Sequence, residues 1–454
     1  MLLSFYGDDF TGSADAMEAL SLHGVRTILF LSPPSPELLR EKFPDIEAVG
    51  VAGASRSMTP ARMEAALPGI FSSMRRLNAR IFHYKICSTF DSSPRIGSIG
   101  RAFEIGQRVF ASTFVPMLVG APALKRYCVF GNLFVTAGEE TFRLDRHPMM
   151  SEHPVTPMDE GDLRVHLGKQ TDAAIALFDL AGLTGTTEEV NARFAALLGR
   201  FSGAGGGAGG ERVAPIVLFD TLDDERLAAA GRLIWESGAR FLIGSSGVEY
   251  ALAGHWQRPR VEYPPAGAVG QLLVMAGSCS AATLAQIEWA EAHGYASLRL
   301  DALPLVDGAT AEAERDRLQR AALDLLAAGR SVVLYSARGP HDPVMRSSGE
   351  RLRQRGIDEL TVRERLGGQQ GVLLRELLLR SGLRRACVAG GDTSSHAISQ
   401  LGIYALELRA PMAPGQPLCR AYSETAALDG VEIAMKGGQH GRADHFESAR
   451  KGHL

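Results

Sequence analysis

Asp8 and Asp9 leave the first apolar run of the chain, LLSFY, as adjacent carboxylates, and Thr11, Gly12 and Ser13 follow at once. A helix start needs only one such side chain as a cap. A second carboxylate beside it can accept hydrogen bonds from a polyol or take a proton from a hydroxyl. The run lacks the D-x-D-x-[TV] order of enzymes that form an aspartyl phosphate, so a phosphoenzyme is not expected.

A second group sits in KICSTFDSSPRIGSIG (85–100), where Lys85 ends an apolar run and Cys87, Ser88, Thr89, Asp91, Ser92 and Ser93 follow. A point charge beside a hydroxyl-rich loop suits a carboxylate or polyol ligand. Arg56, in GASRSM, follows another apolar run and can fork onto a carboxylate, a surface ion pair being its plainer reading. Cys87 has no histidine-bearing partner motif and reads as a small buried thiol rather than a nucleophile.

Three glycine- and serine-rich loops follow in the second half. GSCS (277–280) offers backbone N–H groups with Ser278 or Ser280. AGGDTSSHAISQLG (389–402) offers Gly390 and Gly391 for close backbone approach, Thr393 or Ser394 as a helix cap, and Asp392 to hold magnesium or act on an attacking hydroxyl. KGGQHG (436–441) adds Gly437 and Gly438, with Lys436 near phosphate. Each loop alone is ordinary turn chemistry, but three together suggest a nucleotide site. It belongs to neither standard class, because no Walker A and no GxGxxG motif is present. His440, Asp444 and His445 have metal-like types without metal-like spacing and read as a polar carboxy-terminal surface; any metal ligands stay unknown.

These loops need a scaffold that presents strand ends. Short apolar runs alternate with helical patterns: TILFL (27–31), EAVGVA (47–52), a helix from Thr59 interrupted by Pro68, IFHYKI (81–86) and FVPMLVG (114–120). Residues 121–170 break the rhythm and predict an excursion or antiparallel hairpin. AAIALFDL (173–180), APIVLFD (214–220) and FLIGSSG (241–247) resume it, around a glycine tract at 202–210 that predicts a flexible surface loop. After the Pro- and Gly-rich 256–270 a second α/β unit begins with QLLVMAGSCS, continuing through helices near 311–328 and 369–381. The expected fold is therefore α/β, with two domains of largely parallel sheet, 1–260 and 271–454, and ligands beyond the carboxyl ends of the strands.

The bulk numbers agree with an ordinary enzyme: 454 residues, 45% hydrophobic, 22% charged, net charge −3. That balance gives no electrostatic footprint for nucleic acid. No run approaches the roughly 18 apolar residues of a membrane helix, and the start MLLSFYGDDF lacks the basic and apolar regions of a secretory signal. The five scattered cysteines read as free thiols, so a cytoplasmic location is expected.

Taken together, GDDFTGSADA, SRSM, KICSTFDSS, GSCSAAT, GGDTSSHAISQLGI and KGGQHG, in this order and across nearly the whole chain, resemble the four-carbon acid sugar kinase family. The resemblance implies a sugar-acid-binding amino-terminal domain, an ATP-binding carboxy-terminal domain, and phosphoryl transfer in the cleft between them with ATP and Mg2+. It places the acid sugar on Asp8, Asp9, Arg56 and the segment Lys85, Cys87, Ser88 and Thr89, and ATP on Ser278, on Gly390, Gly391, Asp392 and Thr393, and on Gly437 and Gly438. Asp9 and Asp392 are the two candidates for the catalytic carboxylate. KICSTFDSS, GNLFV and HPVTPM look most like the 3-oxo-tetronate kinases, whereas D-threonate kinases more often show Lys-Thr-Asp-Ser. The 3-oxo-tetronate group typically carries glutamate where Asp392 stands and Ser-Gly-Asn-Phe-Gly in place of residues 437–441, so a branched acid such as 3-oxo-isoapionate is the alternative substrate, with D-threonate or D-erythronate beside it. Two rivals stand beside this reading: a sugar-acid-binding protein without chemistry, and a lyase using Lys85 as a Schiff base. The resemblance allows a homodimer without requiring one.

Overall fold

The computed structural model describes residues 1–153, 155–202 and 214–453; the side chains of Ser202, Leu360, Asp392 and Thr393 lie outside the described residues. So does the glycine tract expected to be a loop, beyond Ser202, which ends a helix. No helix among the described residues is long and apolar enough to cross a membrane.

Buried apolar runs supply the strands. In chain order these are β1 (Leu3–Gly7), β2 (Thr27–Phe30), β3 (Ala48–Ala52), β4 (Ile81–Lys85) and β5 (Val115–Leu118). Then come β6 (Arg126–Val129), β7 (Asn132–Ala137), β8 (Glu140–Arg143), β9 (Ile175–Phe178), β10 (Ile216–Phe219) and β11 (Phe241–Gly244). The second half contains β12 (Leu273–Ala276), β13 (Ala296–Arg299), β14 (Val332–Tyr335), β15 (Arg385–Ala389), β16 (Ile403–Ala413), β17 (Gln416–Ser423) and β18 (Glu432–Lys436).

The chain packs into two compact units, Met1–Asp8 with Ala19–Thr27 and Pro33–Val261, and Asp9–Glu18 with Ile28–Ser32 and Glu262–Leu454. In the first, strands run in the order β3-β1-β4-β11-β5-β10-β9, every neighbouring pair parallel. Both faces of such a sheet must be covered, which is why these strands read as continuous apolar runs. Stacked and edge-on rings of Phe71, Phe82, Phe110 and Phe241 fill part of its core. The irregular stretch after Gly120 forms the antiparallel β6-β7-β8 meander, as its composition predicted. The helix Pro60–Arg76 starts on a Thr59 cap and runs on through Pro68, which was expected to interrupt it. Burial of Met63, Leu67, Phe71 and Met74 along one side holds it across the missing N–H.

In the second unit the order is β13-β14-β12-β15-β18-β17-β16-β2. The segment from β13 to β18 is parallel, but β17, β16 and β2 continue it antiparallel, so this sheet is mixed. Leu272, Val274, Ile287, Val333 and Phe446 belong to its fully buried core.

Candidate functional site

Register decides which loops emerge together. In the first unit Gly7 pairs with Ala52 and Lys85, and Gly244 pairs with Lys85, so β3, β1, β4 and β11 end level. The segments leaving them are the ones singled out above. The Asp8 N–H donates to the Lys85 carbonyl at 2.8 Å, and the Asp8 carbonyl accepts from the Arg56 N–H at 3.0 Å. Three of the predicted sugar-acid residues are thus tied to one another through the backbone.

Their side chains stand in a polar network. Arg56 sits on a short 3-10 turn, Ser55–Ser57, with its guanidinium 4.0 Å from Asp91 Oδ2. Asp91 Oδ1 accepts from Thr89 Oγ1 at 2.8 Å, and Thr89 Oγ1 lies 2.9 Å from Cys87 Sγ. A guanidinium offers five N–H donors in a planar fork that matches a carboxylate. Ser88 is half-buried on the same loop, and so is Cys87, which the sequence reads as buried. Lys85 is buried and donates from Nζ to the Ile86 carbonyl at 3.0 Å. Beneath them the Tyr84 and Ser55 hydroxyls meet at 2.9 Å. Burial first, then the nearby Asp8 charge, pushes the Tyr84 phenol well above its ordinary pKa, so it stays neutral.

In the second unit Ala276 pairs with Ala389 and Ala389 with Lys436, so β12, β15 and β18 are adjacent, parallel and level. All three glycine loops therefore leave one edge. The Gly277 N–H donates to the Ala389 carbonyl and the Gly390 N–H to the Lys436 carbonyl, both at 3.0 Å. Gly390 takes φ 127°, ψ 134°, a conformation that side-chain-bearing residues avoid, and precedes the helix Gly391–Ser399. The Ser394 N–H and hydroxyl both turn back onto its carbonyl. Gly438 lies so close to Ser278 that a Cβ there would overlap Ser278 Oγ. Ser280 caps the helix Ala281–Ala292, accepting from the Thr283 N–H. The side chains of Asp392 and Thr393 lie outside the described residues.

Asp9 is the residue whose surroundings differ most from expectation. The sequence pairs it with Asp8, yet the packing assigns Asp8 to the first unit and Asp9 to the second. Asp9 Oδ1 accepts from the Gly12 N–H at 3.0 Å and so caps the helix Phe10–Leu22. The Phe10 N–H donates to Ser395 Oγ at 3.4 Å, and Ser395 donates to the Gly391 carbonyl. Two helix starts, at Phe10 and Gly391, thus meet beside the glycine loops.

Two carboxy-terminal residues also depart from expectation. Lys436 is fully buried, with Nζ donating to Thr283 Oγ1 at 3.0 Å; burial lowers its pKa to about 8. His445 is buried rather than part of a polar surface, and burial, then the Lys436 charge, lowers its pKa to about 4. Sequence reasoning also missed Ser55, Tyr84 and Thr283. Thr283 carried a legible signal, three residues beyond a serine at a helix start; Tyr84, inside a buried strand, carried none.

Fold and site together define a two-unit α/β ligand-binding protein, with a polar, cation-bearing loop set on one sheet and a glycine-rich cradle on the other. Residues 3–252 match the sugar-binding N-terminal domain and residues 273–446 the nucleotide-binding C-terminal domain of one family. The chain is 45% identical to a 3-oxo-isoapionate kinase of Paraburkholderia graminis, with 100% of this chain and 95% of the relative aligned. It is 30% identical to a 3-oxo-tetronate kinase of Methylobacterium radiotolerans, covering 99% and 98%. A solved protein of Salmonella typhimurium LT2 superimposes with a TM-score of 0.75 at 22% identity, over 99% of this chain and 98% of that one. One from Haemophilus influenzae does so at 0.69 and 21%, over 98% and 99%. These last two show the fold. The chain belongs to the family its motifs resemble, the four-carbon acid sugar kinases, and is a kinase.

Proposed function

We propose that the protein transfers the γ-phosphoryl group of ATP to the terminal hydroxyl of a small acid sugar, with 3-oxo-isoapionate as its substrate. The 45% identity to a 3-oxo-isoapionate kinase, sustained over the full chain, carries that choice. A 3-oxo-tetronate is the second reading, favoured by the KICSTFDSS loop and the 30% relative.

The donor sets suit both ligands. Arg56 and Lys85 supply cations for the acid's carboxylate, and Asp8, Cys87, Ser88 and Thr89 line the same loops with acceptors and donors for its hydroxyls. Ser278, Gly390, Gly391, Thr393, Gly437 and Gly438 form the ATP cradle; its fit rests on the close approach at Gly438, which leaves room for backbone but not for a side chain. Mg2+, which keeps most of its shell as water and phosphate and needs only one or two carboxylates, would neutralise phosphate charge. Asp9 and Asp392 are the carboxylates proposed to serve it or to take the hydroxyl's proton. Both belong to the second unit, where the bond from Phe10 to Ser395 brings their segments together.

Positioning and charge neutralisation carry most of a phosphoryl transfer. Rigid loops that hold the acceptor hydroxyl in line therefore account for more of the rate than the base does. ATP as co-substrate and cysteines that are free thiols support a cytoplasmic location. The test is ADP release on adding 3-oxo-isoapionate, 3-oxo-tetronates and D-threonate separately. Turnover on 3-oxo-isoapionate at least tenfold above the others in kcat/KM is expected; silence with every acid sugar would overturn the reading.

A further inference from the structure

We infer that the backbone N–H of Gln439 is a phosphate donor of the nucleotide site, and that Ser280, Thr283 and Lys436 are the positioning residues that aim it. The inference rests on the reading of the glycine loops as the ATP cradle and names a contact within it.

Three donors converge on one carbonyl. Gly438 O accepts from Ser280 Oγ, from Thr283 Oγ1 at 3.0 Å and, at the longer distance of 3.4 Å, from Lys436 Nζ. A carbonyl oxygen has two lone pairs, so the two hydroxyls satisfy it and the ammonium acts chiefly through Thr283. Thr283 Oγ1 accepts from Lys436 Nζ at 3.0 Å and donates its own hydroxyl hydrogen bond to Gly438 O. The relay is charge-assisted, and it lies where burial makes such bonds strong: Lys436 and Thr283 have no exposed surface. Among the described residues, no carboxylate is a hydrogen-bond partner of Lys436.

That arrangement fixes a peptide plane. In a trans peptide the C=O and the following N–H point in opposite directions. With Gly438 O pulled inward onto Thr283, the Gln439 N–H must face away from the buried relay. Gln439 is exposed, and its N–H donates to no acceptor among the described residues. An N–H with no internal partner, beside the level ends of β12, β15 and β18 and the capped start of the helix Ala281–Ala292, is placed as such groups are placed around phosphates. Lys436, which the sequence places near phosphate, then acts through this peptide and through its charge.

The test is calorimetric titration of the full chain with ADP and magnesium. Thr283→Val removes the relay hydroxyl at constant volume, and Thr283→Ser restores it. The valine variant is expected to bind ADP about ten- to a hundredfold more weakly, the loss of a charge-assisted bond, while serine recovers most of the affinity and the KM for the acid sugar stays put. Gln439→Pro removes the N–H itself and should give a similar loss, with thermal melting reporting whether the variant is folded. ADP binding by Thr283→Val equal to that of the unmodified protein would overturn the inference. Absence of ADP binding by the unmodified protein would instead overturn the nucleotide reading, and the inference with it.

Discussion

Gly438→Ala tests the cradle at the point where the backbone has least room. The added Cβ would lie inside 3.0 Å of Ser278 Oγ and 3.1 Å from Ser278 Cβ, whereas ordinary contact begins near 3.4 Å. Ser278 cannot swing aside without loss, because its Oγ accepts the Ser280 N–H at 3.2 Å. The loop must therefore retreat by about half an ångström or more, which stretches the 3.0 Å bond from Thr283 to Gly438 O past good geometry. Weakening one or two bonds of this kind costs about 1–3 kcal/mol, or roughly 5- to 150-fold in affinity. Initial rates against ATP at saturating acid sugar should show KM for ATP raised by that factor, with KM for the acid sugar unchanged. Adding Ser278→Ala removes the overlapping oxygen and should recover part of the loss. A Gly438→Ala enzyme with normal KM for ATP would refute the steric argument, and so would a double variant no better than the single one.

Arg56→Ala should raise KM for the acid sugar about ten- to a hundredfold, the loss of a charged hydrogen bond, and leave KM for ATP alone; steady-state kinetics with each substrate varied checks the split. His445 titrates near 4 when folded and near 6.5 when unfolded, so the unfolded state binds the extra proton between those values. Its contribution to stability is complete above pH 6.5 and is lost as pH falls toward 4, and urea unfolding at pH 7 and 4.5 should show wild type losing about 2 kcal/mol more than His445→Gln. Arg385 is buried and bonded through Nε to Glu432 Oε2 at 2.8 Å. Glu432→Ala leaves that guanidinium without its carboxylate and should lower unfolding free energy by about 3 kcal/mol, read from the urea midpoint.

Buried parallel strands were legible because each must be apolar on both faces, and the chemistry-bearing loops because Gly, Ser and Asp cluster where those runs stop. Register was not legible. That Asp8 bonds to Lys85 and Arg56 while Phe10, two residues on, bonds to Ser395 of the Gly391–Ser399 helix depends on which strands neighbour which. The hairpin of β16 and β17 escaped notice because Pro411, Pro414 and Pro417 around its turn mimic an irregular segment, although its burial alternates along Ile403–Ala413. The helix Pro343–Gln354 buries only Ser348 and Leu352, too little for a visible apolar period. The helix expected from about 369 begins at Glu359, its first turns polar and carrying Gly367 and Gly368. Gly367 and Gly371 lie against His396 and Ala397 of the Gly391–Ser399 helix, so these glycines serve close helix packing rather than a break. Lys436 shows the limit most clearly: its type suggested phosphate, and only the structure shows its ammonium turned to Thr283.

The central claim is phosphoryl transfer from ATP to an acid sugar, and the most direct measurement follows the phosphorus. With γ-labelled ATP, magnesium and 3-oxo-isoapionate, the account predicts label in a sugar-acid monophosphate formed one-for-one with ADP. Label released only as inorganic phosphate, or no ADP formed with any acid sugar offered, would contradict it.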